Sequence, residues 1–162
     1  MTQWSAQDIV TQLTDRGLTI ATAESLTAGM LSSAIADVPG ASAVLQGGVV
    51  AYNNSIKHRI LGVSADTLAA RGAVDAETAK QMAAGVRQRF NADLGISTTG
   101  VAGPDPVEGK AVGIVFIALT TPANTIAQLL RFDGTRQHIR TATVAASLQL
   151  VAEWLDQTLS TS

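Results

Sequence analysis

The chain has 162 residues, eleven Lys or Arg against thirteen Asp or Glu, a net charge of -2 and no cysteine. That length suffices for a sizeable core, because chains of this size bury roughly two-thirds of their unfolded surface. The missing cysteine excludes disulfides, zinc-thiolate sites and cysteine nucleophiles, and the near-balanced charge offers no field to attract nucleic acid.

Charged residues make up 15% of the chain, against a usual figure of about 25%, and mean hydropathy is +0.24. Part of the surface is therefore expected to be covered in a homodimer or higher homo-oligomer. The start, Met1 to Leu13, lacks the basic stretch and apolar run of a signal peptide. No segment approaches the ~20 apolar residues of a membrane span. A cytoplasmic protein without membrane or nucleic-acid partners is the expectation.

Ser5 followed by Asp8 has the form of a capping box opening a helix that runs to about Gly17. Leu18 to Ala23 reads as a short strand and Gly29 to Val38 as a helix stopping before Pro39-Gly40. Val44 to Tyr52 reads as a strand, interrupted at Gly47-Gly48 by a bulge or close backbone approach. Ser55 to Leu61 and Ser64 to Arg71 form short helices, and Asp75 caps a longer one reaching Phe90. Leu94 to Thr99 is a strand leading into the glycine-rich loop Gly100 to Gly109. Val112 to Thr121 and Thr125 to Phe132 make an antiparallel hairpin about Pro122-Ala123-Asn124. The stripe Ile139, Ala142, Ala146, Leu150, Trp154 and Leu155 predicts a long final helix. Strands alternating with helices give an α/β class, a three-layer α/β/α sandwich with a mainly parallel, mixed central sheet. Without a repeat or a linker, residues 1–162 read as one domain.

Ligands of such sheets collect beyond the carboxyl ends of the strands. There the turn from Ala23 to Gly29 places Ser25 at a helix entrance, where N–H groups can hold an anion, or where Ser25 or Thr27 simply caps the helix. The loop Thr98 to Pro104 lets main chain approach a ligand, or serves only as a tight connection. It is no P-loop: five residues, not four, separate Gly103 from Gly109, and Ala111 stands where Ser or Thr would bind magnesium. No GxGxxG fingerprint occurs. His58 adjoins Lys57 on a predicted helix, so their side chains diverge, and His138 lies in the first turns of the last helix. Neither suits the base of a serine triad, and no metal-ligand spacing is present. Lys57 is the remaining base, useful only if burial lowers its pKa from about 10.4 toward ~7–8. Otherwise it is a solvated lysine on a short helix.

The segments Ala23 to Gly29, Gly47-Gly48-Val49-Val50-Ala51-Tyr52-Asn53-Asn54-Ser55-Ile56-Lys57, Leu61-Gly62-Val63, Gly72-Ala73-Val74, Thr99 to Asp105, Lys110 to Gly113 and Phe132-Asp133-Gly134-Thr135-Arg136 occur in the order of one family. From about Leu13 to Leu155 the chain resembles the CinA C-terminal domain family, to which the nicotinamide-nucleotide amidohydrolases belong. The resemblance implies a homodimer or larger assembly. It also implies hydrolysis of nicotinamide mononucleotide to nicotinic acid mononucleotide and ammonia, without metal or organic cofactor. Ser25 matches the family's nucleophile, Lys57 its general base, and Tyr52 the tyrosine completing a Ser-Lys-Tyr set that orients Lys57 or relays its proton. Thr27, Ala28, Gly29, Gly48, Asn54, Thr99, Gly100, Gly103, Pro104 and Arg140 are the substrate-binding candidates, with Arg140 expected on the phosphate and the N–H groups near Ala28 and Gly29 on the oxyanion. Ala28 departs from the family's usual glycine, as do Ala111, Ile114 and Thr135 from usual proline, threonine and aspartate. The alternative is a non-catalytic nucleotide- or partner-binding member of the same family. A DNA-binding role gains nothing from the charge.

Overall fold

The structure, a computed structural model, describes residues 3–161. In chain order it contains α1 (Ala6–Asp15), β1 (Ile20–Glu24), α2 (Met30–Ala36), a 3-10 turn at Ala41–Ala43, β2 (Leu45–Val50), α3 (Asn54–Arg59), α4 (Ala65–Arg71), α5 (Ala76–Arg89), β3 (Leu94–Gly100), β4 (Ile114–Thr120), β5 (Thr125–Arg131) and α6 (Arg136–Leu159). Every predicted strand and helix is present, and the capping box of α1 forms, with Ser5 and Asp8 bonding each other's backbone. The 3-10 turn carries no periodic pattern and was not predicted.

One five-stranded sheet runs in the order β2-β1-β3-β4-β5. β1 pairs with β2 and with β3 in parallel, whereas β3–β4 and β4–β5 are antiparallel. The mixed α/β sheet is as expected: β2, β1, β3 and β5 run in one direction and β4 against them, which gives two parallel and two antiparallel pairings.

Alternation along the strands sorts the core into two layers. Ile20, Ile96, Val115, Ile117 and Leu119 face α1, α2 and α6, which supply Leu13, Leu31, Ile139 and Leu155 to the same cluster. The opposite face is made of small residues: Ala21 and Ala23 of β1 pack with Met82 and Val86 of α5, and Ala118 packs with Ala79 and Ala83. Small side chains let α5 lie almost directly on the sheet, where Ser97 Oγ donates to the Ala79 carbonyl at 2.6 Å. Gly95 is needed there because a Cβ would overlap the Ala83 carbonyl oxygen.

β1 sits between two parallel neighbours, and the chain leaves it for β2 on one side before crossing to β3 on the other. The loops after β1 and β3 thus diverge from adjacent strand ends, the crevice where open α/β sheets bind ligands. The predicted interruption of β2 is a register shift, from Ile20↔Leu45 to Ala21↔Gly47. We expect Gly95→Ala to destabilise by about 1–3 kcal/mol, because backbone cannot yield as a side chain can. Thermal denaturation should show a midpoint lowered by roughly 3–10 °C; an unchanged midpoint would show that α5 shifts freely.

Candidate active site

Lys57 is the largest side chain buried without apolar character, with 1% of its surface exposed. Asn53 caps α3 by accepting from Ser55 N–H at 2.9 Å, which sets the helix so that Lys57 turns inward and His58 outward. His58 is spent on the Val63 carbonyl at 2.7 Å, and His138 is exposed. Lys57 Nζ donates to the carbonyls of Ala51 at 2.8 Å and Tyr52 at 3.2 Å, and lies 2.9 Å from Ser25 Oγ. Burial, which disfavours the ammonium, pushes its pKa down to about 8, with the Glu108 charge partly opposing. Relative to the ordinary 10.5, holding the charged form costs the folded state roughly 3 kcal/mol. Between about pH 8 and 10.5 the unfolded chain binds the extra proton, so this group makes folding more favourable as pH rises through that window.

Geometry supplies a reason for the two carbonyls. A neutral amine has two protons and one lone pair. With both protons directed to Ala51 and Tyr52 oxygens, the lone pair is left for the hydroxyl of Ser25.

Ser25 follows β1, and its N–H donates to the Thr98 carbonyl of β3 at 3.0 Å. Thr27 Oγ1 pairs with Thr98 Oγ1 at 2.7 Å. The expected capping of α2 by Ser25 or Thr27 is not found. Gly29 stands at the N-cap, and the carboxylate of Glu24 accepts from Leu31 N–H at 2.7 Å and Ser32 N–H at 3.0 Å. The helix entrance is therefore filled by the protein's own anion. The expected oxyanion role of Ala28 also fails, since its N–H donates to the Ser25 carbonyl at 3.1 Å. Leu26, which lines the cavity beside Ser25, has an N–H without a partner among the described residues.

The cavity over this pair is about 400 Å³. Ser25, Lys57, Tyr52, Asn54, Thr99, Gly100 and Gly103 line it, as the sequence suggested. Thr27, Ala28, Gly29, Gly48, Pro104 and Arg140 do not. Gly48 instead faces Thr22 and Ser32, where a Cβ would overlap their hydroxyls. Arg140 grips the nucleophile turn from behind, donating Nε to the Leu26 carbonyl at 2.8 Å and Nη2 to that of Thr27 at 3.4 Å. The arginine in the cavity is Arg136, one turn earlier, which donates Nη1 to the Gly103 carbonyl at 2.6 Å and Nη2 to Tyr52 Oη at 3.0 Å. The Tyr52 phenol is thus engaged by Arg136, and it is the Tyr52 carbonyl that meets Lys57. Asp105 and Glu108 also line the cavity. Sequence reasoning missed these two acids and the place of Arg136; the available signal was the position of Asp105 and Arg136 in the segments Thr99 to Asp105 and Phe132 to Arg136, whereas Glu108 lies outside both. Among the described residues there is no group of three or more His, Asp or Glu fit for a metal, and no helix long and apolar enough to cross a membrane.

A sequence model of the CinA C-terminal domain matches residues 2–155. The chain belongs to that family. A Desulforamulus reducens protein named for competence-damage induction is 51% identical over 143 residues, covering 88% of this chain and 35% of the relative. A CinA-like protein of Frankia casuarinae is 48% identical, over 88% of this chain and 33% of its own length. The chain thus spans about a third of these relatives. The crystal structure of a competence/damage inducible protein from Agrobacterium tumefaciens superposes with a TM-score of 0.89 at 38% identity, covering 93% of each chain. A CinA superfamily protein from Klebsiella pneumoniae gives 0.91 at 29% identity, over 94% of this chain and 96% of its own.

In this CinA-family domain Ala28 holds φ 48°, a left-handed conformation for which glycine is suited. The strain is about 1–2 kcal/mol, offset in part by the smaller backbone freedom alanine has when unfolded. Ala28→Gly should therefore stabilise by about 0.5–1 kcal/mol, measured by urea unfolding; a loss of stability would show that the turn has relaxed around alanine.

Proposed function

We propose that this chain is an amidohydrolase that converts nicotinamide mononucleotide to nicotinic acid mononucleotide and ammonia through a Ser25–Lys57 pair. The observation that carries the reading is a fully buried lysine amine 2.9 Å from a serine hydroxyl at a cavity floor. A buried amine with a lowered pKa is a functional device more often than a structural one, because burial of a charge is otherwise avoided.

In this reading neutral Lys57 takes the proton of Ser25 as Oγ attacks the carboxamide carbon. The tetrahedral oxyanion is held by the Leu26 N–H, a contribution of about 3–4 kcal/mol for a well-placed donor. As the intermediate collapses, the Lys57 ammonium gives its proton to the departing nitrogen, which leaves as ammonia. Water then attacks the Ser25 ester with Lys57 again as base, releasing the carboxylate product. In this reading Arg136, which lines the cavity, takes the phosphate in place of Arg140, and Arg140 acts by holding the turn that carries Ser25. The cytoplasm and a self-associated state fit this reading and its composition, and the whole chain serves as one unit.

Ammonia release from nicotinamide mononucleotide by the purified protein is the test. Ser25→Ala and Lys57→Met should each lower it by about a thousandfold or more. In the unmodified protein kcat/KM should rise with pH through about 8 and level above it, because only the uncharged amine is a base. Arg136→Ala should raise KM by roughly tenfold or more, the scale of a hydrogen bond to a charged group, whereas Arg140→Ala should act mainly on kcat. Release insensitive to both Ser25 and Lys57 would refute the assignment. Binding of the nucleotide without any release would support the non-catalytic alternative.

A further inference from the structure

A second acid–base feature of the cavity is unexplained by the Ser25–Lys57 pair. Glu108, exposed at the cavity wall, has a carboxylate fixed by main chain: Oε2 accepts from Ala73 N–H at 2.9 Å and from Val74 N–H at 3.5 Å. The space it occupies exists because residue 72 is glycine, since a Cβ there would overlap Oε2. Glu108 itself sits at φ 53°, a conformation uncommon for a residue with a side chain. Its loop is closed by reciprocal bonds between Val107 and Lys110, at 3.1 and 2.8 Å. Both N–H bonds fall on Oε2, leaving Oε1 without a hydrogen-bond partner among the described residues.

Such placement works against the base. The Glu108 charge favours the ammonium form of Lys57, whereas hydrolysis needs the amine. A seated, half-satisfied carboxylate that opposes the neighbouring base has its use in the ligand. Besides Lys57, the charged groups lining the cavity are Asp105, Glu108 and Arg136, two acids and one guanidinium. A nicotinamide nucleotide has the complementary pair: an anionic phosphate and a quaternary ring nitrogen with a positive charge. That nitrogen has no proton to donate, so it is recognised by an opposite charge or an aromatic face rather than by a hydrogen bond, and the seated carboxylate supplies the charge.

We propose that Glu108 recognises the positive charge of the pyridinium ring, so that the cavity selects the oxidised form of a nicotinamide nucleotide over its neutral dihydropyridine form. The inference rests on the amidohydrolase reading. With the carboxamide at Ser25 and the phosphate at Arg136, the ring lies in the cavity whose wall Glu108 forms. Because solvent reaches this carboxylate, the discrimination is about fivefold, the upper end for an exposed ion pair.

The test uses Ser25→Ala protein, which keeps ligand intact, and calorimetric titration with nicotinamide mononucleotide and with its reduced form at mildly alkaline pH. The oxidised ligand should bind about fivefold tighter. Adding Glu108→Gln, whose amide oxygen still accepts from Ala73, should weaken the oxidised ligand alone and bring the two within about twofold. In protein with Ser25 intact, Glu108→Gln should also move the rise of kcat/KM to lower pH, because a charge favouring the ammonium is gone while Asp105 and Arg136 remain. Equal binding of both ring states, or equal weakening of both by Glu108→Gln, would overturn the inference. If ammonia is still released in that case, the amidohydrolase reading survives. Neither binding nor ammonia release would overturn both.

Discussion

The site depends on one amine withdrawn from water. Lys57 Nζ is surrounded by the Ala51 and Tyr52 carbonyls and the Ser25 hydroxyl, three oxygens delivered by the end of β2 and the end of β1. Burial makes that lysine costly as a cation, so its position and its chemistry have one cause. The arrangement also dictates the local chain. α3 must be capped at Asn53 to turn residue 57 inward, and the carbonyls of residues 51 and 52 must be turned toward its amine.

The nucleophile turn is held just as tightly, although from other directions. Thr98 of β3 fixes the Ser25 backbone, Glu24 closes α2, and Arg140 binds the carbonyls of Leu26 and Thr27. None of these groups engages Ser25 Oγ or the Leu26 N–H. Buried side chains are satisfied: no buried side-chain nitrogen or oxygen among the described residues lacks a partner. Rigid positioning of this kind is what electrostatic stabilisation of a developing charge requires. The left-handed Ala28 is the visible strain within that framework.

How far these features can be read from sequence varies with their physical origin. Strands and helices were legible because periodicity reflects burial, and the capping residues Ser5 and Asp75 act within three residues of themselves. The closeness of Ser25 and Lys57 was suggested by the family resemblance, since 32 positions separate them and no local pattern records it. Arg136 and Arg140 lie one helical turn apart, and only the direction in which α6 approaches the turn decides which enters the cavity. Glu108 was invisible because its placement depends on N–H groups at 73 and 74 and on an absent Cβ at 72. The strand order, with the hairpin seated beside β3, was not legible for a similar reason, as it is a tertiary fact.

The central claim is that the Lys57 amine gives up its proton near pH 8, well below an ordinary lysine, so that a catalytically useful share of it is uncharged near neutrality. NMR titration of selectively labelled lysine side chains, with Lys57 assigned by its loss in Lys57→Met, reads this protonation directly. The account predicts a midpoint near 8 for that resonance, well below the other lysines. A midpoint at the ordinary value of about 10.5 would contradict it, and the Ser25–Lys57 pair would then have no base.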